Sequence, residues 1–370
     1  MTTSHASARV SPHPHRIGGH CGSGALRDLL EWAGLEWVGP PSEGLVFTLG
    51  GAVGLSYVRS VDLFPPLYLV GRGGELELDL PRRLGGAVEQ RVTDDPAEGW
   101  NWLRAEIQGG RPVMLWADIA ELPYLRVKLS MSRHDIVVIG FDDHAQVALV
   151  VDNDREDVQE VPYEALARAR RSTSFRQPTR HTVYNIRWPA VLPDLASTAA
   201  EAFAQSAHAM SNPTSATRIF DGLTSEPGDA AGLTVHSAGV AAARAFATDI
   251  AGWERHDDEQ LEIMLFSLGA FIEKAGTGGG LFRGLLAQGA FEIAQMTGDE
   301  ATTSLARSAS RAAEAWTTVA RSATARDKPA RSRVRDAAQS ALGLPELEAT
   351  LTQDLHGAAA RLGDSFGYAA

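Results

Sequence analysis

Short apolar runs in the first half of the chain are typical of buried β-strands. They occur at residues 113–117, 135–141 and 146–151, each bounded by polar or turn-forming residues. Ahead of them, apolar residues at helical spacing predict one face of a helix that begins near residue 21. The residues on this face are Leu26, Leu29, Leu30 and Ala33. The pattern therefore predicts a sheet accompanied by a few helices.

The pattern changes after residues 188–193, which contain two prolines and suit a linker. We predict an α+β domain over residues 17–190 and an all-α helical domain over residues 198–370. The polar residues 1–16 are expected to form a disordered arm. Beyond the linker, apolar positions recur at helical spacing over residues 239–253, 259–271 and 281–296.

Composition and charge exclude several classes of protein. The 370 residues are 44% hydrophobic and 22% charged, which is typical of a globular protein, and no apolar run approaches the length of a membrane span. A net charge of −12 argues against general binding of nucleic acid. The beginning of the chain has no apolar stretch typical of a signal peptide, so we expect a cytoplasmic protein with no membrane partner.

The single cysteine of the chain, Cys21, lies where the first helix is predicted to begin. One cysteine excludes an intramolecular disulfide and a cysteine-rich zinc site, and we expect no bound metal. Gly22, Ser23 and Gly24 allow a tight turn here, and the positive end of the helix dipole favours the reactive thiolate. Cys21 is therefore the candidate nucleophile, and the alternative is a buried structural cysteine.

A cysteine nucleophile needs a base, and the base usually needs an orienting group. His134 precedes one apolar run, and Asp152 follows the next. A hairpin in which Phe141 pairs with Gln146 places Asp135 opposite Asp152, so His134 and Asp152 reach the same end of two neighbouring strands. The alternatives are a structural histidine at a strand edge and an aspartate in a turn.

The order Cys21, His134, Asp152 is that of papain-like enzymes. In such enzymes, a helix that carries the cysteine packs against a sheet that carries the histidine and its partner. We therefore expect a papain-like first domain with a Cys–His–Asp triad.

Four segments of the first half resemble a known family. Together they look like the N-terminal domain of butirosin biosynthesis protein H, over roughly residues 16–190. Residues 273–283, with the sequence EKAGTGGGLFR, resemble the helical domain of unknown function that follows in many relatives. The four segments are HCGSGALRDLL at 20–30, WAD at 116–118, LPY at 122–124 and HDIVVIGFDD at 134–143.

The resemblance implies an acyltransferase of specialised-metabolite biosynthesis. Such an enzyme moves an acyl or aminoacyl group from an acyl carrier protein thioester to an amine. Carried over to this chain, Cys21 takes the acyl group, His134 is the base and Asp152 orients it, with Asp118 as the second choice for the orienting residue. The carrier protein is then a partner and brings its own phosphopantetheine, and no cofactor is expected on the chain itself.

Further residues are candidates for the active site. His20, Asp118 and Tyr124 all fall in segments that carry the resemblance. The chain has no clear glutamine ahead of Cys21 of the kind that stabilises an oxyanion in papain-like enzymes. His20 or backbone N–H groups near Cys21 are the candidates for that role.

Two features of the chain are candidate contacts with the carrier protein. Gly278 and Gly279 precede a predicted helix, and with Arg283 they offer a site for the phosphate of phosphopantetheine. The alternative is a flexible turn between helices. Arginine-rich segments at residues 168–187 and 321–335 either guide an acidic carrier protein or form solvated faces.

Several outcomes of the chemistry stay open at this stage. The acceptor amine belongs either to a second small molecule or to the acyl chain itself, and the latter gives release by cyclisation to a lactam. Water as acceptor gives a thioesterase or a cysteine peptidase. A protein of another class, a non-catalytic binding protein, would keep the fold without the reactivity. The helical faces of the second domain are compatible with a homodimer.

Overall fold

The computed structural model describes residues 6–60, 63–127, 133–174, 177–212 and 235–364. Within them, ten strands and twelve α-helices follow one another along the chain. The strands are β1 (Ser7–Arg9), β2 (Val53–Arg59), β3 (Leu67–Arg72), β4 (Ala87–Arg91), β5 (Val113–Ala117), β6 (His134–Asp142), β7 (Val147–Val151), β8 (Gln159–Pro162), β9 (Val183–Arg187) and β10 (Val235–Ala238). The helices are α1 (Cys21–Trp32), α2 (Glu43–Leu49), α3 (Leu76–Arg83), α4 (Pro96–Gln108), α5 (Tyr163–Arg170), α6 (Leu195–Ser211), α7 (Val240–Ile250), α8 (Asp258–Glu273), α9 (Arg283–Thr297), α10 (Glu300–Thr324), α11 (Ala330–Ala341) and α12 (Leu344–Asp364).

The described residues form two compact units whose limits differ from the expected domain boundaries. The first unit holds the residues up to Glu43 together with Leu80–Leu192. The second holds Gly44–Asp79 together with the residues from Pro193 onward. Residues 44–79 join the second unit because their strand β2 pairs with β10, which comes from the second half of the chain.

The first unit is built on an antiparallel sheet of seven strands. Their order across the sheet is β4-β9-β5-β6-β7-β8, and β1 pairs with β6. The three apolar runs of the first half are confirmed as β5, β6 and β7. Helix α1 packs against β6, the strand that begins at His134. The core under the sheet includes the fully buried residues Leu103, Leu115, Ile136, Val138 and Leu166.

The register of the β6–β7 hairpin differs from the predicted one. Phe141 pairs with Ala148 rather than with Gln146, and the register shifts again between Val138 and Gly140. The turn is longer because the Asp142 carboxylate accepts the N–H groups of His144 and Ala145. Gln146 leaves the turn with a φ of 56° instead of entering the strand. The register shift in β6 is a β-bulge, which a prediction based on an ideal hairpin does not include.

The expected disordered arm is ordered from residue 6 onward, and residues 1–5 lie outside the described part of the chain. Ser7–Arg9 forms β1 beside the second half of β6, with Ser7 opposite Asp142. The Val10 N–H then bonds to the carbonyl of the bulge residue Ile139 at 2.7 Å. The polar composition of this segment does not indicate a strand. The strand forms because backbone hydrogen bonds hold it, and these do not depend on apolar side chains.

The second unit is mainly helical, with a three-stranded sheet of order β10-β2-β3. The predicted helices near 239–253, 259–271 and 281–296 are confirmed as α7, α8 and α9. The expected helical region after the linker is confirmed, with one exception: Val235–Ala238 is a strand that pairs along β2. Four residues are too few to show alternation, and their partner is far away in the sequence. No helix in the described residues has the length and apolarity that a bilayer crossing requires.

Candidate active site

Cys21 is the first residue of α1, and its side chain is half-buried. The helix begins here because His20 has an extended backbone and its Nδ1 accepts the Ser23 N–H at 3.2 Å. The buried residues Leu26 and Leu29 fix the rest of the helix in the core. The thiol therefore lies at the positive end of a helix dipole, which favours its ionised form.

His134 and Asp152 lie in contact, as the sequence predicts. Nε2 of His134 is 2.8 Å from Oδ2 of Asp152, and both side chains are buried. Tyr124 donates its hydroxyl proton to the same carboxylate oxygen at 2.7 Å. The other oxygen of Asp152 accepts the Asp154 N–H at 3.1 Å. Asp152 is therefore held from both sides, and it fixes the orientation of the imidazole.

Cys21 completes this group, because its thiol hydrogen-bonds to His134. Burial by itself raises the pKa of the Cys21 thiol, but the charge of His20 and the hydrogen bonds to His134 and His20 outweigh it and hold the pKa well below its ordinary value. Burial lowers the pKa of His134, but the charge and hydrogen bond of Asp152 and the contact with Cys21 raise it well above its ordinary value.

The two opposite shifts favour a thiolate paired with an imidazolium. Burial raises the pKa of Asp152, but the charge and hydrogen bond of His134 lower it below its ordinary value. Asp152 is then an anion that supports the positive charge of His134. A half-buried thiolate beside a positioned imidazolium is an arrangement capable of nucleophilic attack followed by proton donation to a leaving group.

Glu43 is a residue of this region that the sequence analysis missed. Its carboxylate accepts the N–H groups of Gly19 and His20 at 2.7 Å each, and the hydroxyl of Ser23 at 3.0 Å. It therefore fixes the entry into α1 and the residue next to Cys21. No spacing rule points to it, because it lies outside the resembling segments and follows a proline-containing loop.

Asp135 is a second missed residue, and it lies directly against the nucleophile. Sγ of Cys21 donates to Oδ2 of Asp135 at 3.8 Å. Asp135 pairs with Trp116 across the sheet, and its side chain is buried. In the sequence, only the position next to His134 points to Asp135 as a site residue. Strict alternation along a strand predicts instead that the side chains of His134 and Asp135 lie on opposite faces of the sheet.

The segment before α1 also contacts the site. Nδ1 of His15 bonds to Asp28 on α1, and its Nε2 bonds to the carbonyl of Arg155, both at 2.7 Å. The Arg155 guanidinium in turn donates to the carbonyl of Tyr124 at 2.6 Å. His15 therefore connects the cysteine helix to the loop that follows β7. His15 lies in residues 1–16, which the sequence predicts to be a disordered arm.

The structure distinguishes the two candidates Asp118 and Tyr124. Asp118 caps the 3₁₀ helix Ile119–Glu121 through the Ala120 N–H and accepts the Ser172 hydroxyl at 2.5 Å. The carboxylate bonded to His134 is Asp152, so Asp118 is not needed as the orienting residue. Tyr124 does reach the candidate site, where its hydroxyl donates to the Asp152 carboxylate. Burial, with the charge of Asp152, raises the pKa of Tyr124 and keeps its hydroxyl protonated.

The glycine-rich segment of the second unit is a structural turn, so the proposed phosphate contact of Arg283 needs correction. The Arg283 guanidinium is fully buried and bonds twice to Glu348 at 2.9 Å, so its charge is already compensated. The Gly280 N–H donates to Glu273, and a Cβ on Gly278 would collide with Leu285. Arg283 is therefore engaged in the core and not placed to bind a phosphate, and the Gly279 N–H donates to the Thr277 hydroxyl at 3.2 Å. With Gly278, these residues favour the alternative of a turn between helices.

The arginine-rich segments are largely neutralised by carboxylates of the chain itself. In the first segment, Arg168 pairs with Glu121, Arg180 with Asp94 and Arg187 with Glu106, and Arg176 lies outside the described residues. In the second segment, the ion pairs are Lys328–Asp336, Arg331–Asp258, Arg333–Glu262 and Arg335–Glu254. These pairs favour the interpretation of solvated faces over that of a free basic patch.

Within the part of the chain that the structure describes, no group of three or more His, Cys, Asp or Glu side chains is arranged to hold a metal ion. The acidic and basic groups around Cys21 instead contact one another.

Two family models match the chain in succession. The model described as Butirosin biosynthesis protein H, N-terminal, matches residues 20–153. The model described as Domain of unknown function (DUF4872) matches residues 164–355, which is more than half of the chain. A search of curated proteins finds no match. The first match begins one residue before Cys21 and ends one residue after Asp152, so it contains the whole group of side chains around the thiol.

Proposed function

We propose, from the premise that this chain belongs to the DUF4872 family and carries the N-terminal domain of butirosin biosynthesis protein H, that it transfers acyl groups through a thioester on Cys21. The donor is the thioester of an acyl carrier protein in a biosynthetic pathway, and the acceptor is an amine. The carrier brings the acyl group on its own phosphopantetheine arm, and the chain needs no cofactor of its own.

The observation that carries this proposal is the contact of Cys21 with His134, which is in turn bonded to Asp152 at 2.8 Å. A cysteine with a lowered pKa beside a histidine with a raised pKa is the combination that a nucleophile and its acid–base partner require. The two occur here on neighbouring side chains, at the beginning of a helix and of a strand that pack together.

The same arrangement supports a papain-like fold for the first unit. Helix α1 carries the nucleophile and packs on an antiparallel sheet, and the sheet supplies the base and its carboxylate partner from adjacent strands. Nε2 of His134 faces Asp152, so Nδ1 is the ring nitrogen left to face the thiol. In a Cys–His–Asp triad, one ring nitrogen of the histidine faces the nucleophile and the other bonds to the carboxylate, as here.

In the first half-reaction, the Cys21 thiolate attacks the carbonyl carbon of the carrier thioester. A carbon–sulfur bond forms to Sγ, and the bond to the carrier sulfur breaks. The His134 imidazolium gives its proton to the departing thiolate, so the carrier leaves as a free thiol and His134 becomes neutral. Asp152 holds the ring in place throughout this transfer.

Backbone N–H groups at the start of α1 are the proposed oxyanion donors. The His20 N–H is used by Glu43 and the Ser23 N–H by the His20 ring. Cys21 and Gly22 remain, and residues in the first turn of a helix have no intrahelical acceptor for their N–H groups. His20 supports this site by setting the helix start beside the thiol.

In the second half-reaction, an amine attacks the Cys21 thioester, forming an amide and releasing the thiolate, while neutral His134 takes the proton that the nitrogen loses. A separate amine molecule gives transfer, and an amine within the acyl chain gives a lactam. Water in the same position gives hydrolysis, the reaction of a thioesterase or peptidase. The buried environment of His134 and Asp152 favours acceptors that displace water from the site.

The proposal is tested by incubating the protein with acyl-loaded carrier proteins and simple acyl thioesters and recording its intact mass. We expect a mass gain equal to the acyl group in the wild-type protein and none in Cys21→Ala. The variant His144→Ala, altered at an exposed turn, is the matched control and should gain mass like the wild type. The proposal fails if no donor adds mass and a general thiol reagent also leaves Cys21 unmodified.

A further inference from the structure

The Cys21 thiol has a carboxylate neighbour that the triad does not use. Sγ donates to Oδ2 of Asp135 at 3.8 Å, and the Asp135 side chain belongs to a residue that is only 1% exposed. Asp135 is the second residue of β6, and its backbone pairs with Trp116 of β5. The sheet therefore holds this carboxylate beside the sulfur.

A structural role accounts poorly for this placement. A carboxylate next to a thiol opposes formation of the thiolate, because two negative charges at this distance repel each other. The first half-reaction needs the thiolate, so Asp135 does not assist it. Once Cys21 is acylated, however, the sulfur carries no charge, and the carboxylate faces a neutral thioester.

We propose that Asp135 is a catalytic residue of the second half-reaction, in which it binds the acceptor amine as an ammonium ion and takes the first of its protons. The inference rests on the proposed function. An alkylamine is protonated at neutral pH and has no lone pair for attack. A base beside the thioester can remove the proton of the ammonium ion next to the carbon that the amine attacks. Asp135 is in this position, because it contacts the sulfur to which the carbonyl carbon is bonded.

The step balances with the groups at hand. The ammonium gives one proton to the Asp135 carboxylate and becomes a free amine. Its nitrogen forms a bond to the thioester carbon, and the bond from that carbon to Sγ of Cys21 breaks. The nitrogen loses its second proton to neutral His134, which restores the thiolate–imidazolium pair. The proton on Asp135 then returns to water.

Two bases around one sulfur distinguish an amine from water as acceptor. Water loses only one proton on attack, which His134 can take alone, whereas an ammonium ion must lose two. Asp135 therefore favours transfer to a cationic acceptor over hydrolysis. The negative charge also attracts the ammonium into a site that is poorly accessible to bulk water.

The test compares two small nucleophiles of similar size. Hydroxylamine is largely uncharged at neutral pH, and methylamine is an ammonium ion. The protein is first acylated with a simple acyl thioester, such as that of N-acetylcysteamine, and loss of the acyl mass from Cys21 is then followed with each nucleophile. The variant is Asp135→Asn, which keeps the shape of the side chain. Asp142→Asn, at the other end of β6, is the control.

We expect Asp135→Asn to acylate at least as fast as the wild type, because the charge that opposes the thiolate is gone. Its deacylation rate should fall about 100-fold with methylamine, the scale of general acid–base catalysis, and change less than about threefold with hydroxylamine. An equal loss with both nucleophiles would assign Asp135 a structural role and overturn the inference. So would unchanged rates with both, or a failure of the variant to acylate. If the wild type itself gains no acyl group, the proposed function fails, and this inference fails with it.

Discussion

The charge state of the Cys21 thiol depends on side chains that the sheet brings to it. His20 is its chain neighbour, but His134, Asp135 and Asp152 come from strands more than a hundred residues later. Burial disfavours a charge on each of these groups, and only their mutual contacts reverse that effect for Cys21 and His134. The reactivity of the Cys21 thiol therefore depends on the side chains around it and not on the cysteine alone.

Asp152→Asn is expected to shift the pH dependence of Cys21 acylation. The Asp152 anion helps raise the pKa of His134, and acylation needs the imidazolium. Without the anion, His134 loses its proton at lower pH, so the alkaline limb of the rate profile moves toward neutral pH and the maximal rate falls about 100-fold. Measurement of acylation by intact mass from pH 5 to pH 10 checks this.

Asp157→Asn is the matched control for this variant, because Asp157 is an exposed carboxylate on the same loop after β7, and its backbone carbonyl accepts the side-chain amide of Gln159. Its alkaline limb should stay near that of the wild type. An unchanged alkaline limb in Asp152→Asn would show that another group sets the pKa of His134.

At the scale of elements, the site depends on how helix α1 is held at its start. Glu43 accepts two backbone N–H groups and one hydroxyl there, and His15 ties Asp28 in the middle of α1 to the loop after β7. Neither residue touches the thiol. Both keep the helix that carries Cys21 in register with the strand that carries His134.

Glu43→Gln is expected to lower the free energy of unfolding by about 1.5–3 kcal/mol, the scale of a lost hydrogen bond to a charged group. It should also slow alkylation of Cys21, because the entry into α1 loosens. Urea denaturation and reaction with iodoacetamide measure the two effects. Glu36→Gln, at an exposed position before α2, is the control and should match the wild type in both. Normal stability in Glu43→Gln would contradict this role.

His15→Ala is expected to lose stability mainly on the acid side. Burial lowers the pKa of His15, but the hydrogen bonds to Asp28 and to the Arg155 carbonyl, together with the charge of Asp28, outweigh burial and raise the pKa above its ordinary value. A raised pKa in the folded state stabilises the protein below the unfolded pKa of about 6.5, and this contribution disappears as pH rises through the folded pKa.

The stability difference between wild type and His15→Ala should therefore be largest near pH 6 and shrink toward pH 9, measured by urea denaturation at each pH. His144→Ala, at an exposed turn, serves as the reference for histidine loss in general. A difference that stays constant with pH would mean that packing, not charge, is what His15 contributes.

At the scale of the whole molecule, the chain is divided differently in space than along its sequence. Residues 44–79 lie within the match to the N-terminal family domain, yet they pack in the second unit. Arg283 shows how: it donates to the carbonyls of Gly54 and Gly71 and pairs with Glu348 on the last helix. One buried side chain thus joins three distant segments of the second unit.

Arg283→Met is expected to lower the free energy of unfolding of the second unit by about 3–5 kcal/mol, because it leaves the buried Glu348 charge unpaired. Urea denaturation followed by circular dichroism measures the loss. Adding Glu348→Leu should recover part of it, since the uncompensated charge is then removed. Arg311→Met, on an exposed position of α10, should have little effect. Wild-type stability in Arg283→Met would contradict the structural role of this ion pair.

Much of this protein is determined by local sequence. Strands β5 to β7 and helices α7 to α9 were predicted, because hydrophobic periodicity is a local record of which face is buried. The approach of His134 to Asp152 was also predicted, although the register was not, since a bulge and a longer turn shift the pairing without separating the ends of two adjacent strands.

Only the tertiary structure decided the rest. Sequence alone gave no means to find Glu43 and Asp135 beside α1, or to see that Arg283 is neutralised by Glu348, because these contacts join residues with no fixed spacing. The same holds for residues 44–79, whose strand β2 finds its partner β10 in the other half of the chain. Hydrophobic periodicity indicates which residues are buried. The partner of a buried charge or of a strand edge is determined only when the whole chain has folded, because that partner can come from any part of the sequence.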